Sequence, residues 1–185
     1  MKLKQNLLLL GGLVGVIWVL SIIGFLFSGL TYALALVPRD VWHLPGIVAM
    51  PVLHKDFGHL LANTLPLIAF GLLLLTRGAD YFLRSVVLVT LGGGLLLWVF
   101  GRSAAHIGAS GLVFGLFGLL VARAMYARSA ESMLIATLVM LGYGGLVWGV
   151  FPTDAAVSWD GHLAGLLAGI GSAKLLHSKP GQTGR

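Results

Sequence analysis

A chain of 185 residues that is 58% hydrophobic and 10% charged, with a mean hydropathy of +0.97, carries more apolar side chain than a soluble interior of this size holds. Lipid must be the solvent for much of its surface. With no cysteine, disulfides, thiolate metal ligands and a cysteine nucleophile are excluded. The net charge of +6 is scattered singly or in pairs between apolar runs, so there is no basic stripe for nucleic acid.

Crossing about 30 Å of hydrocarbon as helix takes about 20 apolar residues. Six stretches meet that need, at 6–28, 57–76, 83–101, 108–126, 131–150 and 160–177. Strand alternation is missing and open sheet edges are excluded from lipid. The expected fold class is therefore an all-α membrane protein, a bundle of six transmembrane helices. The first run follows Lys2 and Lys4, and Ala33-Leu34-Ala35 resembles a signal-peptidase site. That run is longer than the usual core of about 7–15 residues, so it is expected to be kept as a span. N-terminal sequencing of the purified protein checks this.

The stretch 29–56 contains Pro38, Arg39, Asp40, Pro45, Gly46 and Pro51, yet also Trp42, Ile47, Val48, Met50 and Val52. It is too apolar for a solvated linker and is expected to lie in the membrane interface. The polar tail 178–185 is expected to be disordered. With the N-terminus inside, nine basic residues (Lys2, Lys4, Arg77, Arg84, Arg123, Arg128, Lys174, Lys179, Arg185) are cytoplasmic and three (Arg39, Lys55, Arg102) external. The positive-inside bias thus gives an N-in, C-in topology.

In that topology His59 and Asn63 open the second span, Ser110 the fourth and His162 the sixth, all near the outer face. At about 1.5 Å rise per residue, Asn63 lies about 21 Å from Arg77, Ser110 about 20 Å from Arg123, and His162 about 18 Å from Lys174. Three helices thus place polar groups at one depth, about 10 Å below the outer surface of a core of about 30 Å. Polar groups there need a wet cavity. Intramembrane polar residues mark function by default, and these are the parts of a serine hydrolase: nucleophile, base and oxyanion donors.

His59 and Asn63, four apart, share a helix face, and both can donate hydrogen bonds. His54 precedes them on the loop or first turn. Gly108 and Gly111 bracket Ser110 and permit close approach of a substrate chain. Gly161, Gly165 and Gly169 on the sixth span, and Gly111 and Gly115 on the fourth, are GxxxG stripes for close helix packing. If the stripes face each other, Ser110 and His162 meet. Asp160, two residues before His162, points away from it on a helix and reads as a solvated loop carboxylate. His106 reads as a cap or lining of the loop before Ser110. His43 and His177 read as interfacial without partners. Trp18, Trp42, Trp98, Trp148 and Trp159 read mostly as interface anchors.

The combination His54-x4-His59-x3-Asn63, Gly108-Ala109-Ser110-Gly111 and His162-x2-Gly165-x3-Gly169 resembles the rhomboid family of intramembrane serine proteases. The resemblance covers the whole six-helix arrangement, so residues 1–177 are expected to form a rhomboid-type transmembrane domain. It implies a serine-type endopeptidase with Ser110 as nucleophile and His162 as general base, a catalytic dyad without aspartate. It implies an oxyanion hole from His59, Asn63 and the Ser110 amide, with His54 supporting the first external loop and the cavity. It also implies that the fifth span or the loop 151–159 is the moving gate. Many members carry Tyr four residues after the serine, packed on the histidine; here that position is Phe114. Many also carry a Trp-Arg pair in the first loop; here Trp42 is followed by His43, and Arg39 follows Pro38.

The expected partners are transmembrane protein substrates and membrane lipid, with no nucleic acid, no metal and no cofactor, in an integral multi-pass protein of a bacterial plasma membrane. His54, His59 and His162 without a carboxylate ligand in the spans do not suggest a metal site. Two other readings are a rhomboid-like binder of transmembrane helices that does not cut, and a small transporter. The first usually lacks nucleophile or base. The second often shows repeats or midplane charges, which are absent here.

Overall fold

The computed structural model describes residues 2–154 and 157–177. The 178–185 tail lies outside the described residues. In chain order the helices are α1 (Lys2–Leu26), α2 (Ser28–Ala33), α3 (Gly46–Ala49), α4 (Phe57–Leu75), α5 (Ala79–Phe100), α6 (Ser110–Ala127), α7 (Ala130–Tyr143) and α8 (Trp159–His177). Short 3₁₀ turns occupy Val41–His43, Met50–Val52 and Gly144–Val150. Among the described residues the extended pairing is an isolated antiparallel bridge between Leu36 and His106.

Among the described residues, five segments are long and apolar enough to cross a membrane: Leu3–Leu26, Phe57–Leu75, Ala79–Phe100, Ser110–Ala127 and Ala130–Val150. The sixth expected span, α8, has the length, at 19 residues. Its hydropathy is diluted by Asp160, His162, Ser172, Lys174, His177 and its glycines. Those small residues serve packing instead: Gly161, Ala164, Gly165, Ala168 and Gly169 are all buried.

α6 is the axis of the bundle, with residues 111–120 buried throughout. Contacts fix the helix directions. Phe70 of α4 meets Phe117 of α6, and His59 meets Gly108, so α4 and α6 run parallel. Gly111 and Gly115 of α6 face Gly165 and Gly169 of α8, which is therefore parallel too. α5 runs the other way: Leu97 lies by Gly161, and Gly93 by Gly165. In α1, Trp18 packs edge-on to Phe57, while Leu10 fills the space beside Gly71. The N-termini of α4, α6 and α8 thus gather at one end.

The expected glycine stripes do face each other. A Cβ on Gly165 would strike the Gly111 carbonyl, and one on Gly169 the Gly115 carbonyl. Backbone therefore lies on backbone, which small residues alone permit. Gly161 differs: its own Cβ would meet Ser158 Oγ at 2.5 Å, while its carbonyl lies 3.3 Å from the corresponding point on Gly111.

Loop 29–56 is built of short helices packed on the bundle. Ile47 of α3 fills the space beside Gly94 of α5. Arg39 ties the loop to the end of α5: its Nη1 donates to the carbonyls of Val99 (3.2 Å) and Gly101 (2.7 Å), capping α5, and its Nη2 to Ser103 Oγ. Trp98 Nε1 donates to the Asp40 carbonyl. His43, expected to lack a partner, has one: its Nδ1 lies 2.8 Å from Asp40 Oδ2. That bond, with one from the Trp42 amide, holds the Asp40 carboxyl below its ordinary value. His177 likewise stacks with Tyr126. Of the tryptophans, Trp42 and Trp148 are largely exposed, as anchors should be. Trp18 instead donates inside the bundle to Thr64 Oγ1, at 3.0 Å.

Candidate active site

The GASG segment turns into α6 through Gly108, at φ +119°, a conformation that L side chains avoid. A Cβ there would also lie 2.7 Å from His59 Nε2. Both facts favour glycine, and the second puts the His59 ring against the backbone just before Ser110. The N-cap Ala109 offers no side-chain acceptor to the first turn of α6. The amides at this helix start, with the positive end of the dipole, face the region of Ser110. Ser110 itself is half-buried.

α4 starts at Asp56, whose Oδ1 accepts from the His59 amide at 2.7 Å. This N-cap bond holds the Asp56 carboxyl below its ordinary range. It also fixes where the first turn begins, and so the angle at which His59 and Asn63 project.

Four segments meet on His54, which is 1% exposed. Its Nε2 accepts from the Ala109 amide (3.3 Å) and from Asn63 Nδ2 (3.2 Å). A neutral imidazole with Nε2 accepting has its proton on Nδ1, which then donates to Ser21 Oγ of α1 at 2.8 Å. Ser21 in turn donates to the Val52 carbonyl at 3.1 Å. Both ring nitrogens of His54 are thus partnered. Burial, reinforced by the charge His59 would carry, lowers the His54 pKa to about 4, so the ring is neutral near pH 7. His54 is thus the knot between α1, the first loop, α4 and the Ser110 turn.

Asn63, 7% exposed, has both amide hydrogens engaged, the second on the His59 carbonyl at 3.1 Å. An oxyanion would take one of them in exchange. His59 Nδ1 is buried without a hydrogen-bond partner among the described residues. A bare lone pair is the cheaper group to bury, which leaves the proton on Nε2, the nitrogen against Gly108.

His162 stands on the first turn of α8. Its ring stacks on Phe114, with centroids 4.1 Å apart and planes 10° from parallel. Phe114 lies four residues after Ser110 and shares its helix face. The imidazole therefore covers that face of α6 one turn from the serine. Its Nδ1 lies 2.9 Å from the Gly149 carbonyl.

Asp160 is not the solvated loop carboxylate its position suggested. It is buried, and Arg102 grips it through the backbone amide (2.8 Å to Oδ2), Nε (3.3 Å) and Nη2 (3.2 Å to Oδ1). Arg102 Nη2 also donates to Val157 O, and the guanidinium lies over Trp159. His106, 2% exposed, accepts from Ser158 Oγ and donates to Arg102 O. The loop before α6 is thereby tied to the start of α8.

A family model for the Rhomboid domain covers residues 38–179, and the chain belongs to the rhomboid family. That family is in general one of intramembrane serine proteases, with some inactive members. An uncharacterized protein of Mycobacterium tuberculosis is 36% identical over 140 residues, 71% of this chain and 58% of its own length. RHOMBOID-like protein 1 of Arabidopsis thaliana is 30% identical over 139 residues, 71% of this chain and 34% of its own. The Arabidopsis Rhomboid-like protein 11, chloroplastic, is 30% identical over 142 residues, 69% of this chain and 50% of its own. The chain thus spans only 58% of the mycobacterial relatives it matches. It is an integral membrane protein in a lipid environment.

Proposed function

We propose that the chain is an intramembrane serine endopeptidase that cuts transmembrane substrates near the outer membrane face, with Ser110 as nucleophile and His162 as general base. The observation that carries this reading is the His162 ring stacked on Phe114, one turn from Ser110, across a helix pair in backbone contact. Hydrogen-bond reach of about 2.6–3.2 Å between nucleophile and base requires helices that close.

Ser110 attacks the scissile carbonyl as His162 takes its proton. His59 Nε2–H, an Asn63 amide hydrogen and the Ser110 amide receive the oxyanion; losing one such donor costs about 10²–10³ in rate. The intermediate collapses as the C–N bond breaks and His162 gives its proton to the leaving amine; water from the outer face, deprotonated by His162, then hydrolyses the acyl-enzyme and returns the proton to Ser110. A helical substrate must unwind first, so Gly or Pro near its outer end favours cleavage. The fifth span, 131–150, or the loop 151–159 is the moving gate. The setting is a bacterial plasma membrane with N-in, C-in topology, and residues 1–177 form the rhomboid-type transmembrane domain.

The test is cleavage of a model membrane substrate in proteoliposomes. Wild type cuts; Ser110→Ala and His162→Ala do not, while keeping the wild-type melting curve in detergent. Fluorophosphonate labels Ser110 in wild type alone. A chain that binds substrate and takes no label is a non-catalytic binder, and full activity in either mutant refutes the dyad.

A further inference from the structure

We infer that the backbone carbonyl of Gly149 positions the base. It holds His162 with its proton on Nδ1 and its lone pair on Nε2, and ties that state to the seated position of the segment Gly144–Val150.

A carbonyl only accepts, so the 2.9 Å contact requires Nδ1–H. The other nitrogen of the neutral ring is then the basic one, as proton abstraction demands. In enzymes with a Ser-His-Asp triad a carboxylate performs this task. Here the nearby carboxylate, Asp160, is taken up by Arg102.

The segment is built for this contact. Gly142 and Gly145 have open space around them, and at Gly144 a Cβ would meet only the end of Met140. At Gly149 a Cβ would come within 2.7 Å of Phe114 Cζ and 3.2 Å of His162 Nδ1. The missing side chain is what lets the backbone reach the ring. The segment continues α7 as a 3₁₀ helix with no buried residue. Such a change of helix type within a run often marks a hinge. A hinge movement there withdraws the acceptor, so the base is oriented only when the segment is seated.

Gly149 is a positioning residue in the dyad reading proposed above, on which this inference rests. The test uses the full chain in detergent with ¹⁵N-histidine. Wild-type His162 shows the Nδ1–H pattern. In Gly149→Ala the tautomers mix, fluorophosphonate labelling of Ser110 slows about tenfold or more, and KM for the model substrate stays within about twofold. Because the new methyl also presses on Phe114, a second variant keeps every side chain: an ester replacing the Gly149–Val150 amide weakens the acceptor and slows labelling severalfold. An ester at Gly145–Leu146 leaves both readouts at wild type. Wild-type tautomer and labelling rate in both Gly149 variants, or an Nε2–H pattern in wild type, overturn the inference. If wild-type Ser110 takes no label while the Nδ1–H pattern still depends on Gly149, the dyad fails and the positioning contact stands.

Discussion

Phe114 and His162 lie face to face, 4.1 Å between ring centres, where many rhomboids place a tyrosine against the histidine. The stack needs the ring face and not the hydroxyl. Such a pair contributes about 0.5–1.5 kcal/mol beyond burial, on the order of three- to tenfold in a rate that depends on imidazole orientation. Phe114→Leu keeps apolar volume and loses the stack, so kcat in proteoliposomes falls about three- to tenfold. Phe114→Tyr keeps the face and stays within about threefold of wild type. A leucine variant as fast as wild type removes the stack from the mechanism.

The contact between α6 and α8 gives a sharper stability test. A methyl on Gly169 strikes Gly115 O, C and Cα, all backbone, so no side chain can yield. Gly169→Ala is expected to destabilise by about 3 kcal/mol or more, measured by reversible unfolding in mixed micelles. Gly171, on the same helix, has nothing within 4 Å of the new methyl. Gly171→Ala is expected to be neutral or to stabilise by up to about 1 kcal/mol through helix propensity. Equal effects at the two sites would mean that the helices are not in backbone contact.

The legible parts of this site were those with a periodic or stereochemical cause. Apolar runs announced five of the six expected spans, small residues every four announced the interface of α6 and α8, and His59 and Asn63 announced a shared helix face. Contacts that use backbone carbonyls carry no such mark. Nothing at Gly149 tells a reader that its oxygen meets His162. Ser21 is a serine in an apolar helix, and its partner His54 lies 33 residues away. Asp160 was misread because local helix geometry decided its direction, while its partner Arg102 is 58 residues distant. The weak hydropathy of α8 has the same origin as its packing, since residues small enough for backbone contact are not strongly apolar.

His54 makes stability depend on pH. Folded, it titrates at about 4; unfolded, at its ordinary 6.5. The stabilisation is fully present above pH 6.5. It shrinks as acid protonates the unfolded ring, and is gone below pH 4, where both states are charged. Integrated over that window, the loss is on the order of 3 kcal/mol. His54→Gln does not titrate. Its unfolding free energy is lower at pH 7, because the partners of the ring are imperfectly matched, but between pH 6.5 and 4 it falls less steeply than wild type. Parallel curves for the two proteins would show that His54 is not the group responsible.

Asp160 separates an anchor from a catalytic carboxylate. If it acted on the imidazole, Asp160→Asn would cost about 10⁴-fold in kcat, the loss seen when a triad aspartate becomes asparagine. The contacts with Arg102 lead elsewhere: asparagine keeps one oxygen to accept from the Arg102 amide and Nε, but loses the charge and puts its own NH2 donor where Nη2 found an acceptor. The expected cost is under about tenfold in kcat, with a stability loss of about 1 kcal/mol. Asp160→Ala removes every acceptor and loosens the start of α8. It is expected to lose about 1–3 kcal/mol, discounted because the Arg102 side chain is 38% exposed, and more activity than the asparagine variant. Kinetics at matched folded fraction decide the matter, and a loss near 10⁴ in the asparagine variant would place Asp160 in the catalytic machinery.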